Sequence, residues 1–144
     1  MRAALERSGE SARDDWVELG ALLGCAYPAF VPTLLAHPED LVALGDGLSQ
    51  PRETRAYQRL AAAAVGRRAD DLTDEARVRR GLRRFASREK LRIAARELLG
   101  QPGHDVDVTA RELSDLADVC CEVALAEALA WADARFGVPT ATNG

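Results

Sequence analysis

Three consecutive segments decide the fold: LRRFASREKLRIAARELLG (residues 82–100), QPGHDVDV (residues 101–108) and TARELSDLADVCCEVALAEALAWADARFGVP (residues 109–139). In the first, Leu82, Phe85 and Ile93 share one face at the 3.6 period with Val78 upstream, whereas Leu91, Ala94 and Leu98 lie on the opposite side. A helix that is apolar on two sides is normally buried, so the second half of this one is expected between other helices. Thr73, followed by Asp74 and Glu75, supplies an N-cap with acids in the first turn, and Gly100 stands at the C′ position. In the third segment Thr109-Ala110-Arg111-Glu112 reads as a capping box. Leu113, Leu116, Ala117, Cys120, Val123, Ala124, Ala128, Trp131 and Ala132 continue the pattern to Phe136, and Gly137 and Pro139 end it. The expectation is an all-α bundle with a long antiparallel helical hairpin, about 73–99 and 109–136, packed by shorter N-terminal helices.

Upstream of the hairpin, punctuation by proline and glycine sets the elements. Trp16, Leu19, Leu22, Leu23 and Ala26 predict a short amphipathic helix, capped by Asp14 or Asp15 and ending near Cys25. Pro28, Pro32 and Pro38 then divide the apolar groups, which predicts two or three short helices in series, closed by Gly45 and Gly47. Ser49 is the expected cap of the next helix, whose buried stripe is Tyr57, Leu60, Ala61, Ala64 and Val65 and whose stop is Gly66. Residues 1–15 read as a flexible N-terminus, residues 16–137 as one helical domain, and residues 138–144 as a tail or the start of a linker.

Length and composition agree with this. A chain of 144 residues can bury about 70% of its unfolded surface in one core. With 47% hydrophobic and 29% charged residues it is globular in type, and its richness in Ala, Leu and Arg favours helix. Cys25, Cys120 and Cys121 are odd in number and two are adjacent, which fits free thiols in a reducing cytoplasm, packed as small hydrophobes. The first residues lack the apolar core of a signal peptide, and no run approaches the ~20 apolar residues of a membrane helix.

Charge is unevenly placed. The net charge of −4 argues against nucleic acid as a partner of the whole domain. Between Arg77 and Arg96, however, nine basic residues face only Glu89, and the following helix carries Glu112, Asp115, Asp118, Glu122, Glu127 and Asp133. Two readings stay open: the helices complement each other at the rim of their contact, or Arg79, Arg80, Arg83, Arg84 and Arg88 form a docking surface for an acidic partner. A nucleic-acid interface is disfavoured further by the lack of interleaved aromatics. Asp105-Val106-Asp107 has the form of a Mg²⁺-holding carboxylate pair, but a Pro/Gly loop is the wrong support for one. His37 and His104 are isolated, and no Ser/His/Asp or Cys/His arrangement can be assembled.

Leu82-Arg83-Arg84-Phe85, Arg88-Glu89 and Leu91-Arg92-Ile93-Ala94 resemble the LRRF…RE.LRIA signature of glutamate-ammonia ligase adenylyltransferase, the bifunctional enzyme that adenylylates and deadenylylates glutamine synthetase. Thr109, Glu112-Leu113-Ser114 and Leu116-Ala117-Asp118 resemble the T..ELS.LAD start of the next family helix, and Phe136-Gly137-Val138-Pro139 its end. CAYPAFVPTLLAHPEDL, from Cys25, is similar to an earlier family segment, PFL..LL.RHPELL. Ala86 and Ser87 depart from the LRRF…RE.LRIA signature, standing where the family commonly has basic residues. The resemblance implies a helical region preceding a catalytic nucleotidyl transferase domain, which uses ATP and Mg²⁺ and opens with a GKLGG-type loop and a SDIDL metal-binding pair. Neither motif occurs here, so no catalytic, cofactor-binding or metal-binding residue is carried over. The expected role is that of a non-catalytic cytoplasmic accessory domain, inactive alone, whose partners are the catalytic domain and glutamine synthetase. The alternative is a stand-alone module that binds an acidic protein or nucleic acid through its Arg-rich helix.

Overall fold

The computed structural model describes residues 14–66, 75–103 and 105–139, and among them every regular element is helical. Helix α1 spans Asp14–Ala26 and is followed by a 3-10 turn, Pro28–Phe30. Two short helices come next, α2 at Val31–Ala36 and α3 at Glu39–Val42, then a second 3-10 turn at Gly45–Gly47. Helix α4 spans Thr54–Val65, α5 Glu75–Leu98 and α6 Val106–Phe136. The expected bundle, with two long helices packed on each other and on shorter ones, is the observed fold.

The described residues form two compact units, and α5 and α6 each contribute to both. The first comprises the residues up to Arg52 together with Ser87–Leu113. Its core joins Leu19 and Leu23 of α1, Leu34 of α2, Leu41 of α3 and Leu44 to Leu91, Ala94 and Ala95 of α5, with Trp16, Tyr27, Phe30, Leu48 and Leu98 packed around them. Every residue from Leu91 to Arg96 is buried, so this half of α5 is enclosed on all sides, as its two apolar faces require. The Tyr27 hydroxyl donates to Glu97 Oε2 at 3.2 Å, and burial, then that bond and the Glu97 charge, push its pKa above the usual 10.0.

The second unit comprises Glu53–Ala86 and the residues from Ser114 onward. Tyr57, Ala61 and Val65 of α4, Phe85 of α5, and Leu116 and Val119 of α6 are its buried apolar residues. Thr54 Oγ1 bonds Asp115 Oδ2 at 3.1 Å and Gln58 Nε2 donates to Glu122 Oε2 at 3.4 Å, so α4 and α6 run alongside each other in the same direction. Arg77 Nη1 donates to the carbonyls of Val65 at 2.8 Å and Gly66 at 2.6 Å, closing the C-terminus of α4 with a cation, which suits the helix dipole. One turn later α5 passes so close to α4 that a Cβ on Gly81 would run into the Ala64 carbonyl oxygen.

The ends of the helices follow the expected chemistry in some places and depart from it in others. Gly66 is left-handed at φ 61°, as expected of a stop signal. Gly100 adopts φ 58°, with its N–H on the Glu97 carbonyl and that of Gln101 on Arg96, the paired bonds of a Schellman motif. By contrast Ser49 caps nothing: α4 begins at Thr54 after Glu53, which makes no side-chain cap bond. The capping box at Thr109 is not formed either. Asp105 Oδ1 accepts the Val108 N–H at 2.7 Å, so α6 starts three residues earlier than expected and the Glu112 side chain is released for another use. Leu22, Leu60 and Ala64, placed on buried stripes by periodicity, are exposed. Cys25 and Cys121 are exposed and Cys120 is half-buried, which corrects the expectation that all three are packed as small hydrophobes. Residues 1–13, with the expected flexible start, Thr73 with its cap, His104, and the last five residues of the tail lie outside the described residues.

The approach at Gly81 yields a test. Gly81→Ala should lower stability by about 1–3 kcal/mol through overpacking, although alanine alone would favour the helix by about 1 kcal/mol. Urea denaturation measures it, and a stabilised variant would show that α4 and α5 are not in this contact.

Candidate functional site

Among the described residues the densest constellation of charged side chains lies in the first unit and is buried. Arg92 is 1% and Arg96 2% exposed, and the carboxylates they meet, Glu89 and Glu112, are buried with them. Arg92 Nε donates to Glu89 Oε2 at 2.8 Å, while its Nη2 donates to Glu112 Oε1. Arg96 Nε lies 3.5 Å from Glu112 Oε2. The Arg52 N–H donates to Glu112 Oε1 at 2.8 Å, and Arg52 Nε stands 3.0 Å from Glu89 Oε2 at an angle that makes an ion pair without a hydrogen bond.

Backbone carbonyls complete the cluster. Arg92 Nη1 reaches the Gly47 carbonyl at 3.5 Å, Arg96 Nη1 donates to Leu48, and Arg96 Nη2 donates to Pro102 at 3.0 Å. The two guanidiniums therefore tie the turn after α3, the loop between the long helices and the start of α6 to one face of α5. Buried charges persist only when paired and hydrogen-bonded, and these are both. The arrangement is enclosed and its two central guanidiniums are paired and hydrogen-bonded, which suits it to holding the fold.

The arginines singled out from sequence are elsewhere. Arg79 pairs with Glu75 at 3.2 Å, both side chains being largely exposed, and Arg80 and Arg83 are exposed on the same helix. Arg79 and Arg83 line a shallow hollow with Leu82, Ala86 and Cys120. Arg84 is half-buried and engaged. Arg88 belongs to the first unit, where its Nε lies 3.7 Å from the buried Asp40 Oδ1. Of the five, Arg79, Arg80, Arg83 and Arg84 belong to the second unit and Arg88 to the first. Asp105 and Asp107 are exposed in and before the first turn of α6, with Asp105 engaged as the cap, which is not the donor arrangement of a divalent-cation site. Among the described residues no group of three or more His, Cys, Asp or Glu could hold a metal ion. No helix of the described residues is long and apolar enough to cross a membrane.

Charge complementarity between the two long helices is real, but its strongest instance is interior rather than at a rim. Arg92, Arg96, Glu89 and Glu112 do not stand out in the sequence, where the basic run has the form of a surface and Glu112 that of a cap residue. A signal was present: Arg92 and Arg96 alternate with Leu91, Ile93, Ala94 and Ala95 in a segment already read as enclosed.

Among the described residues the chain is an all-helical domain whose first unit is held by a buried ionic cluster. The family model for glutamate-ammonia ligase adenylyltransferase matches residues 19–144, nearly the whole chain, and the chain belongs to that family. No curated protein and no solved structure matches it.

The cluster makes a stability prediction. Glu112→Gln keeps the shape but removes the carboxylate charge shared by two buried guanidiniums, leaving Arg92 only Glu89, and should cost about 3–5 kcal/mol in urea denaturation. Glu75→Gln, at the exposed pair, should cost about 0–1 kcal/mol. Equal, small losses at both positions would show that the cluster is not structural.

Proposed function

We propose that this chain is a non-catalytic helical region of a glutamine synthetase adenylyltransferase, whose role is to support and dock the nucleotidyl transferase domain that adenylylates or deadenylylates glutamine synthetase. The observation that carries the reading is that the match over residues 19–144 falls on helices whose most elaborate polar constellation, among the described residues, is buried and used in pairing arginines with carboxylates. Catalysis of adenylyl transfer needs carboxylates presented to Mg²⁺ and phosphate, open to substrate. ATP and Mg²⁺ belong, on this reading, to the catalytic domain. The work is done in the cytoplasm, as part of nitrogen regulation.

The alternative, a free-standing module that binds acidic partners through α5, draws on the exposure of Arg79, Arg80 and Arg83. It is weakened by the engagement of Arg84 and Arg88, which reduces the free cationic surface to one short stretch.

Incubation with glutamine synthetase, ATP and Mg²⁺ separates these readings. This chain alone should transfer no adenylyl group and release none by phosphorolysis, and adding it to a nucleotidyl transferase domain of the family should raise that domain's rate or its thermal stability. Activity of the chain alone would overturn the non-catalytic assignment, and the absence of any effect on the domain would overturn the docking role.

A further inference from the structure

The second unit has an apolar face that nothing in the described residues covers. Leu116, Val119, Val123 and Ala130 mark the inward side of α6, and all four are buried or half-buried. On the opposite side Cys121, Leu125, Ala128, Leu129, Ala132 and Phe136 fall within about 100° of the helical wheel. Leu125 is 60%, Leu129 55% and Phe136 73% exposed. Trp131 extends the patch at its edge, packing edge-to-face on Phe136 at 6.0 Å, and the Arg135 guanidinium lies 5.6 Å from both rings. Exposed apolar surface continues past the last turn to Val138. A helix that is hydrophobic on both sides is a buried helix, so this face is shaped for a neighbour.

From this we infer that the outer face of the C-terminal half of α6, and not the arginine-rich part of α5, is the surface on which the nucleotidyl transferase domain docks. The inference rests on the supporting role proposed above. Three features select this occupant. The five large side chains expose on the order of 600 Å², at the upper end of what a monomer's largest patch shows and most of one side of a standard interface of about 800 Å² per partner. The centre of the face is free of charge, as in permanent interfaces rather than transient encounters, which fits a domain of the same enzyme better than a passing regulator. The patch also runs beyond the helix end to Val138, so its occupant sits against the C-terminal end of α6. A second copy fits less well. Asp118 stands at one end of the stripe and Glu122 and Asp133 border one edge, so two faces laid antiparallel would bring the same acids together.

The test mixes the 144-residue chain with a nucleotidyl transferase domain of the family supplied as a separate polypeptide, with titration calorimetry as the readout. The expected result is binding that weakens at least tenfold in Leu125→Glu/Leu129→Glu and is unchanged in Arg80→Glu/Arg83→Glu. Both leucines are exposed, so helicity and melting temperature should be retained, and Leu129→Gln supplies a milder variant should the double one melt early. Unchanged binding by the leucine variants would overturn the assignment of this face while leaving the docking role standing. Absence of binding by the unaltered chain would remove both. A dimer in sedimentation velocity that the leucine variants abolish would give the face to a second copy and contradict the inference.

Discussion

The structure depends on two guanidiniums held out of water. Arg92 and Arg96 lie in the most enclosed part of α5, and removing each charge from solvent costs several kcal/mol that only close pairing offsets. Glu112 provides that pairing from the start of α6, and Glu89 from one turn earlier on α5. Carbonyls of Gly47, Leu48 and Pro102 accept from further donors of the two side chains. Arg52, the most exposed member of the group, keeps access to water. Such a cluster adds little to stability compared with well-packed apolar side chains, but it penalises every misalignment, because a slip of one turn leaves buried ions unpaired. Apolar packing can tolerate sliding between alanine- and leucine-rich helices; this arrangement cannot.

That constraint explains the odd start of α6. An N-cap at Thr109 with Glu112 folded back on it would satisfy local rules, but it would use up the carboxylate that Arg92 needs. Asp105 takes the cap instead, the helix gains a turn, and Glu112 turns inward. Local and long-range demands compete for one side chain, and the long-range one wins because an unpaired buried charge costs more than a cap, about 3–5 against about 1 kcal/mol.

The same competition marks how far the sequence is legible. Helix positions could be read because proline, glycine and apolar periodicity act locally: Gly66 and Gly100 stop helices where expected, and the prolines divide residues 28–47 as expected. Enclosure of the second half of α5 could be read from its two apolar faces. The partners of Arg92 and Arg96 could not, since Glu112 is twenty residues away and its spacing from Thr109 offered a plausible local use. Exposure along α6 was also hidden: periodicity shows that a helix has an apolar stripe, while Leu125, Leu129 and Phe136 form a second one whose lack of cover is visible only once α4 and α5 are in place. Several residues that carry the family resemblance, Leu91, Arg92 and Glu112 among them, are members of the core or of its ion cluster.

If the cluster sets the register of the long helices, its two central members must be strongly coupled. A double-mutant cycle of Arg92→Leu and Glu112→Leu, read by urea denaturation, tests this most directly. Each single change should be severe, about 3–5 kcal/mol, and the pair together should lose less than the sum by about 2 kcal/mol or more, within the range seen for contacting residues. Additive losses would contradict the account, since they would mean that the two side chains are buried side by side without depending on each other.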